Sequence, residues 1–189
     1  MSDAPLLRLG GVACLRGGRL LFKELELALQ PGEAMLVTGP NGVGKSSLIR
    51  IAAGLLRPSA GMVERSGTTA LADETLALDP KQTVARALGF WAKLDGADTA
   101  PGIEAMGLTR LASVPVRMLS TGQRKRAALG RVVASGAKLW LLDEPANGLD
   151  TEGQDRLTAA IERHRENGGA VLAASHQPLI LGPHRALAL

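Results

Sequence analysis

Residues Gly39-Pro40-Asn41-Gly42-Val43-Gly44-Lys45-Ser46 match the pattern G-x-x-x-x-G-K-[ST] in full, a spacing suited to holding the phosphates of a nucleotide. Glycines let the backbone wrap so that successive N–H groups point at phosphate oxygens. A helix starting near Lys45 adds its positive end at the same place. Lys45 would reach the β- and γ-phosphates and the Ser46 hydroxyl would coordinate Mg2+, with Ser47 closing the candidate ATP-binding set. Further along, Leu139-Trp140-Leu141-Leu142-Asp143-Glu144 sets an apolar run directly before two carboxylates. Asp143 is then placed to hold the metal through the ligands around it, and Glu144 to polarise an attacking water. The phosphate loop by itself does not separate kinases, GTPases and ATPases.

Groups this far apart in sequence meet only if strands deliver them to one edge of a sheet. Residues 6–37 read as a set of strands, with Leu25, Leu27 and Leu29 alternating as on a half-buried one. After the turn Gln30-Pro31-Gly32-Glu33, the run from Ala34 to Thr38 suits a buried parallel strand. Leu48, Ile51, Ala52 and Leu55 recur at helical spacing towards Gly54 and the Pro58 break. Residues 75–118 read as loosely helical. Ser120 to Ser135 predicts a helix with Ser120 as N-cap, and Leu139 to Leu142 a second buried strand. Thr151 to Asn167 predicts an amphipathic helix around Leu157, Ala160 and Ile161, closed by Gly168-Gly169. Ala170 to Ala174 reads as a third strand and His184 to Leu189 as a last one. This order implies an α/β fold with right-handed crossovers and a parallel sheet. Ligands of such sheets sit at the carboxyl ends of the strands, where the motifs fall.

Composition narrows the classes further. The 189 residues are 46% hydrophobic, enough for one packed domain. Phe22, Phe90, Trp91 and Trp140 are the whole aromatic complement, so a bound base has few rings to stack on. A single Cys14 excludes a disulfide framework and reads as a small core residue. The net charge of +4 comes from scattered basic residues, a solvated surface rather than a nucleic-acid site. His164 and His184 read as surface residues. The opening Met1-Ser2-Asp3-Ala4-Pro5 lacks the features of a secretory signal, and no apolar run approaches the roughly 18–20 residues needed to cross a bilayer. The chain is expected in the cytoplasm, reaching a membrane through a partner.

The segment Leu119-Ser120-Thr121-Gly122-Gln123, followed by the basic Arg124-Lys125-Arg126, resembles the LSGGQ signature of ABC ATPases. Ser120 and the backbone around Gly122, at a helix N-terminus, form a second anion site. In the family this site caps the γ-phosphate held by another subunit's phosphate loop. The resemblance therefore implies a head-to-tail homodimer with two composite ATP sites. Thr121 replaces the usual glycine and adds a side chain near the phosphate. Ala146-Asn147-Gly148-Leu149-Asp150 resembles the D-loop, which crosses the dimer interface, and Ser175-His176 the switch histidine that contacts the γ-phosphate. The fold implied is a P-loop NTPase (RecA-like) parallel sheet core, with an N-terminal antiparallel β subdomain and a small helical subdomain at about 75–130. All lie within one domain, 1–189.

Two positions depart from the common family pattern. In Leu71-Ala72-Asp73-Glu74-Thr75, Glu74 stands where a glutamine usually bridges Mg2+, the water and the membrane subunit, and Gln82 is the more distant substitute. In Val12-Ala13-Cys14-Leu15-Arg16-Gly17-Gly18 no ring is available for adenine, and Arg16 could stack its guanidinium there, or remain a solvated turn residue. With the short length, Cys14-Leu15-Arg16 and the stretch Ala87 to Leu94, these departures resemble the ATP-binding subunits of cytochrome c biogenesis (haem export) complexes. That resemblance implies an ATP- and Mg2+-dependent ATPase, peripheral on the inner face of the bacterial inner membrane and bound to an integral CcmB-like permease. An ABC transporter ATPase for another substrate, or a soluble non-transport ABC ATPase, are the other readings. The sequence does not name the cargo.

Overall fold

The computed structural model describes residues 4–75 and 77–189. Most of the opening stretch, Met1 to Asp3, and Leu76 lie outside the described residues. Two sheets form the frame. An antiparallel sheet of order β2-β1-β4 joins β1 (Leu7–Arg16), β2 (Arg19–Leu29) and β4 (Ala60–Arg65). Gly17 and Gly18 connect β1 to β2 with φ of 54° and 78°, the doubly left-handed turn that matches strand twist. A parallel sheet of order β5-β6-β7-β3-β8 joins β3 (Ala34–Thr38), β5 (Thr69–Ala72), β6 (Leu139–Asp143), β7 (Ala170–Ala174) and β8 (Arg185–Ala188).

The two central strands, β6 and β7, are buried throughout, and their alternation divides the interior in two. Leu139, Leu141, Ala170, Leu172 and Ala174 face α1 (Lys45–Ala53) and the antiparallel sheet. Trp140, Leu142, Val171 and Ala173 face the other core, with α2 (Val84–Asp95), α4 (Thr121–Ala134) and α5 (Thr151–Glu166). Side chains that alternate at period two thus serve two hydrophobic cores at once, which is why these strands read as continuous apolar runs.

The segment between β5 and β6 carries α2, the short α3 (Ala100–Ala105), 3-10 turns at Thr109–Leu111 and Val116–Met118, and α4. α3 crosses α4 at two glycines: a Cβ on Gly102 would lie 2.0 Å from the Gly130 carbonyl oxygen. Only a residue without a side chain permits that approach.

Two expectations need correction, and two strands fall outside the sequence reading. β4 and β5 escape pattern reading because β4 is largely exposed, without an apolar alternation, and β5 has four residues. Leu55 lies past the C-cap Gly54 and is exposed, so the apolar stripe of α1 ends with Ala52. His164 is not a surface residue. Its ring stacks on Trp140, with centroids 3.9 Å apart and planes 9° from parallel, and Nε2 lies 3.3 Å from the Ala170 carbonyl. Burial pushes its pKa down to about 4, against hydrogen bonds that favour the charged form. The last turn of α5 folds back over the start of β6, and Gly169 makes room: a Cβ there would stand 2.1 Å from the imidazole.

Candidate active site

Strand register places the ends of β3, β6 and β7 side by side, with Asp143 opposite Ala174 and Ala174 opposite Val37. Each end continues into a polar segment. After β3, Gly39, Gly42 and Gly44 adopt φ of 140°, 81° and 121°, so the loop curls in a way side chains resist. A Cβ on Gly44 would come within 3.1 Å of Leu21 and Phe22, which seats the loop closely on β2. Lys45 opens α1 and is 6% exposed; its ammonium donates to the carbonyls of Gly39 at 2.7 Å and Pro40 at 3.1 Å. A buried cation is thereby held inside the loop, over the positive end of a helix.

β6 ends on Asp143, which is 2% exposed. Burial raises its pKa, a hydrogen bond with the Ser46 side chain lowers it, and Glu144 and Glu74 raise it further. Its Oδ1 is buried without a hydrogen-bond partner. Glu144 follows with φ of 47°, a left-handed conformation that a non-glycine residue holds at a cost. Its carboxylate accepts from the His176 backbone N–H at 3.1 Å and the Ser175 hydroxyl at 3.3 Å, and lies 2.9 Å from His176 Nδ1. The segments after β6 and β7 are thus tied together at Glu144.

These residues open on one cleft of about 430 Å3, lined by Leu21, Asn41, Gly42, Gly44, Lys45, Ser46, Ser47, Glu74, Glu144, Asn147 and His176. Glu74 is among them; Gln82 is not. The donor set suits a divalent cation carried by a nucleotide. Ser46 and the unpartnered Asp143 oxygen offer a hard oxygen edge. Among the described residues, no group of three His, Cys, Asp or Glu side chains forms a protein-only cage. Mg2+ is commonly held in that way, by one or two protein groups together with phosphates and waters.

The signature residues lie outside this cleft. Ser120 caps α4, its hydroxyl accepting from the Gln123 N–H at 3.2 Å while Gln123 Oε1 accepts from the Ser120 N–H at 3.0 Å. That reciprocal box presents the start of α4 to solvent, with Ser120 and Thr121 exposed and Leu119 buried beneath. A Cβ on Gly122 would lie 3.0 Å from the Gly148 carbonyl oxygen, so the signature packs on the D-loop segment. Asp150 caps α5 through Gly153 N–H at 2.8 Å. Val43 and Pro40 shape the phosphate loop without lining the cleft. Arg16 is exposed at the end of β1 and does not line it either.

Sequence reasoning missed three contributors. Leu21 lines the cleft from β2, on which the phosphate loop sits, and Asn147 lines it from the segment after β6, which the sequence marks only as D-loop-like. Lys125 was read as part of a solvated basic stretch, yet it is 7% exposed. Burial lowers its pKa, while Asp143, Asp73, Glu74 and Glu144 favour its charged form.

A family model described as ABC transporter matches residues 22–147. The chain is 60% identical over 179 residues to the cytochrome c biogenesis ATP-binding export protein CcmA of Sphingopyxis alaskensis, covering 93% of this chain and 92% of that one. It is 52% identical over 180 residues to the protein of the same description from Zymomonas mobilis, covering 94% and 81%. Among solved structures, the fold is similar to an ATP binding subunit of an ABC transporter, with a TM-score of 0.82 at 22% identity, covering 90% of this chain and 79% of that one. It is also similar to cbiO1 from Clostridium perfringens, part of the ABC transporter complex cbiONQ, with a TM-score of 0.75 at 24% identity, covering 93% and 80%. The chain therefore belongs to the ABC transporter family and, within it, to the cytochrome c biogenesis ATP-binding export proteins, CcmA.

Proposed function

We propose that the chain hydrolyses ATP between two copies of itself and that this drives an integral CcmB-like permease in cytochrome c biogenesis, on the cytoplasmic face of the inner membrane. The observation that carries the hydrolytic part is the meeting of Lys45, Ser46, Glu144 and His176 in one cleft, while the signature stands outside it. In this reading the loop amides and Lys45 hold the phosphates, and Ser46 and Asp143 would hold Mg2+, which would supply charge neutralisation for the phosphates. Glu144 orients the attacking water and accepts its proton, with His176 fixing the carboxylate and facing the γ-phosphate. Glu74 reaches the same water from the β5–α2 loop.

An exposed signature with a satisfied N-terminal box is an anion site awaiting a phosphate, which a second copy supplies. Asp150 crosses that interface. Arg16 lies beyond the cleft on the β1–β2 hairpin and stacks on the adenine; Arg16→Ala should weaken ATP binding about tenfold, and unchanged affinity returns it to the surface. Mg2+ is tested by chelation, which should stop turnover.

The subfamily reading rests on the 60% identity to CcmA across nearly the whole chain. Deleting the gene should remove covalently bound haem from membrane proteins while leaving b-type cytochromes intact. Haem staining of membranes reads this out, and complementation with Lys45→Ala should fail. Covalent haem that persists in the deletion strain refutes the cytochrome c role and leaves the ATPase standing.

A further inference from the structure

The loop between β5 and α2, which carries Glu74, is flanked on either side of Glu74 by backbone carbonyls that one pair of side chains holds, Leu71 in β5 and Ala77 in the loop. Before Glu74, the Arg131 guanidinium donates to the Leu71 carbonyl. Past Glu74, Trp91 Nε1 donates to the Ala77 carbonyl at 2.7 Å, where Ala77 has a left-handed φ of 48°. The two side chains hold each other: the Arg131 guanidinium carbon lies 4.6 Å from the Trp91 ring centroid. Arg131 comes from α4, the helix that begins at the signature, and Trp91 from α2.

We propose that Trp91 and Arg131 are positioning residues, a clamp that couples Glu74 in the cleft to the signature helix α4. The inference rests on the reading of Glu74 given above. Leu71 pairs in register with Leu141, two residues before Asp143, so the Arg131 bond fixes the loop's origin at the level of the carboxylate edge. Between the two held carbonyls the chain also makes a local turn, with Asp73 Oδ1 accepting from the Thr75 N–H at 2.9 Å. A segment pinned in this way follows its anchors. Any displacement of α4 when a phosphate docks at its N-terminus is carried from Arg131 through the ring of Trp91 to Ala77, while Leu71 stays in register with Leu141. Burial withdraws the Arg131 guanidinium from water and lowers its pKa, with Asp95 and Asp73 opposing. A cation–π contact strengthens as its cation is desolvated.

The test uses the full chain copurified with its permease, comparing kcat and KM for ATP in Arg131→Met, Trp91→Leu, their double variant, Trp91→Phe and Arg131→Lys. The clamp predicts kcat about tenfold lower in each of the first two, with KM within about twofold. Because the pair acts as one unit, the double variant should be no slower than the slower single. Trp91→Phe keeps a ring under the guanidinium and should recover part of the loss. Arg131→Lys keeps the charge without the planar fork and should remain slow; it also serves if the Trp91 variants fail to fold. Multiplicative losses in the double variant, a KM that rises in step, or wild-type kcat in Arg131→Lys each overturn the clamp. Glu74→Ala run alongside separates the two ideas. Wild-type turnover there overturns the Glu74 reading and the clamp's purpose with it, whereas a slow Glu74→Ala beside wild-type clamp variants overturns the clamp alone.

Discussion

Lys45 carries a charge at a position 6% exposed, and its ammonium is satisfied by two carbonyls of its own loop. A phosphate entering the loop offers a full negative charge in their place, and charge-assisted bonds of this kind are about twice as strong as neutral ones. Lys45→Ala removes that gain and leaves the Gly39 and Pro40 carbonyls without their donor. ATPase activity should fall to background and ATP affinity by at least tenfold, measured by nucleotide titration. Turnover close to wild type would remove the phosphate-loop assignment. Glu144 shows a different economy at the same scale. Its strained φ of 47° is held by bonds from Ser175 and His176, so the residue that needs accurate aim is the one the fold over-determines.

At the scale of elements, the helical segment is packed through its glycines. Gly102→Ala would push a methyl group into the Gly130 carbonyl, 2.0 Å away, and should cost about 1–3 kcal/mol, several degrees in Tm. Gly89, within α2, has nothing within 4 Å of its would-be Cβ, so Gly89→Ala should stabilise by up to about 1 kcal/mol. Equal effects from the two substitutions would contradict the α3–α4 crossing. His164 gives the fold a pH response. Its folded pKa of about 4 lies below the ordinary 6.5, so the unfolded chain binds the extra proton between those values. Stability is therefore fully present above about pH 6.5 and is lost as pH falls towards 4. His164→Phe keeps a ring on Trp140 without titrating. Its urea midpoint should fall less than that of the wild type between pH 6.5 and 4, and parallel curves would place the imidazole in water.

These same elements show what could be seen beforehand. The strands β3, β6 and β7 were legible because both faces are buried and the residues read as apolar runs. α4 is legible through its Ser120 N-cap, and α5 through the apolar spacing of Leu157, Ala160 and Ile161 and the Gly168-Gly169 stop. β4 was not, since an exposed edge strand carries no pattern. His164 and Lys125 were misjudged for one reason: their burial depends on which element packs over them, a tertiary fact absent from local sequence. The phosphate loop, Asp143 and Glu144 were legible because their chemistry demands fixed residue types at fixed spacing. Arg131 and Trp91, which act on backbone carbonyls, leave no such trace.

On the scale of the whole molecule, the architecture keeps the phosphate-loop cleft and the signature apart. The cleft holds the phosphate loop, Glu74, Glu144 and His176, and the signature box opens to solvent at the start of α4. No helix among the described residues is long and apolar enough to cross a membrane. In the dimer proposed above, two copies arranged head to tail would bring each exposed signature to the other's phosphate loop, with ATP as a large part of the contact. Binding energy would then close that dimer and hydrolysis release it. Glu144→Gln should trap the proposed closed state, because it keeps the nucleotide site and removes the proposed base. Size-exclusion chromatography of this variant with ATP and Mg2+ is the most direct measurement. The account predicts a stable species at twice the 19.6 kDa chain mass, absent without nucleotide. A Glu144→Gln chain that stays at single-chain mass with ATP bound, or that turns ATP over at the wild-type rate, contradicts it.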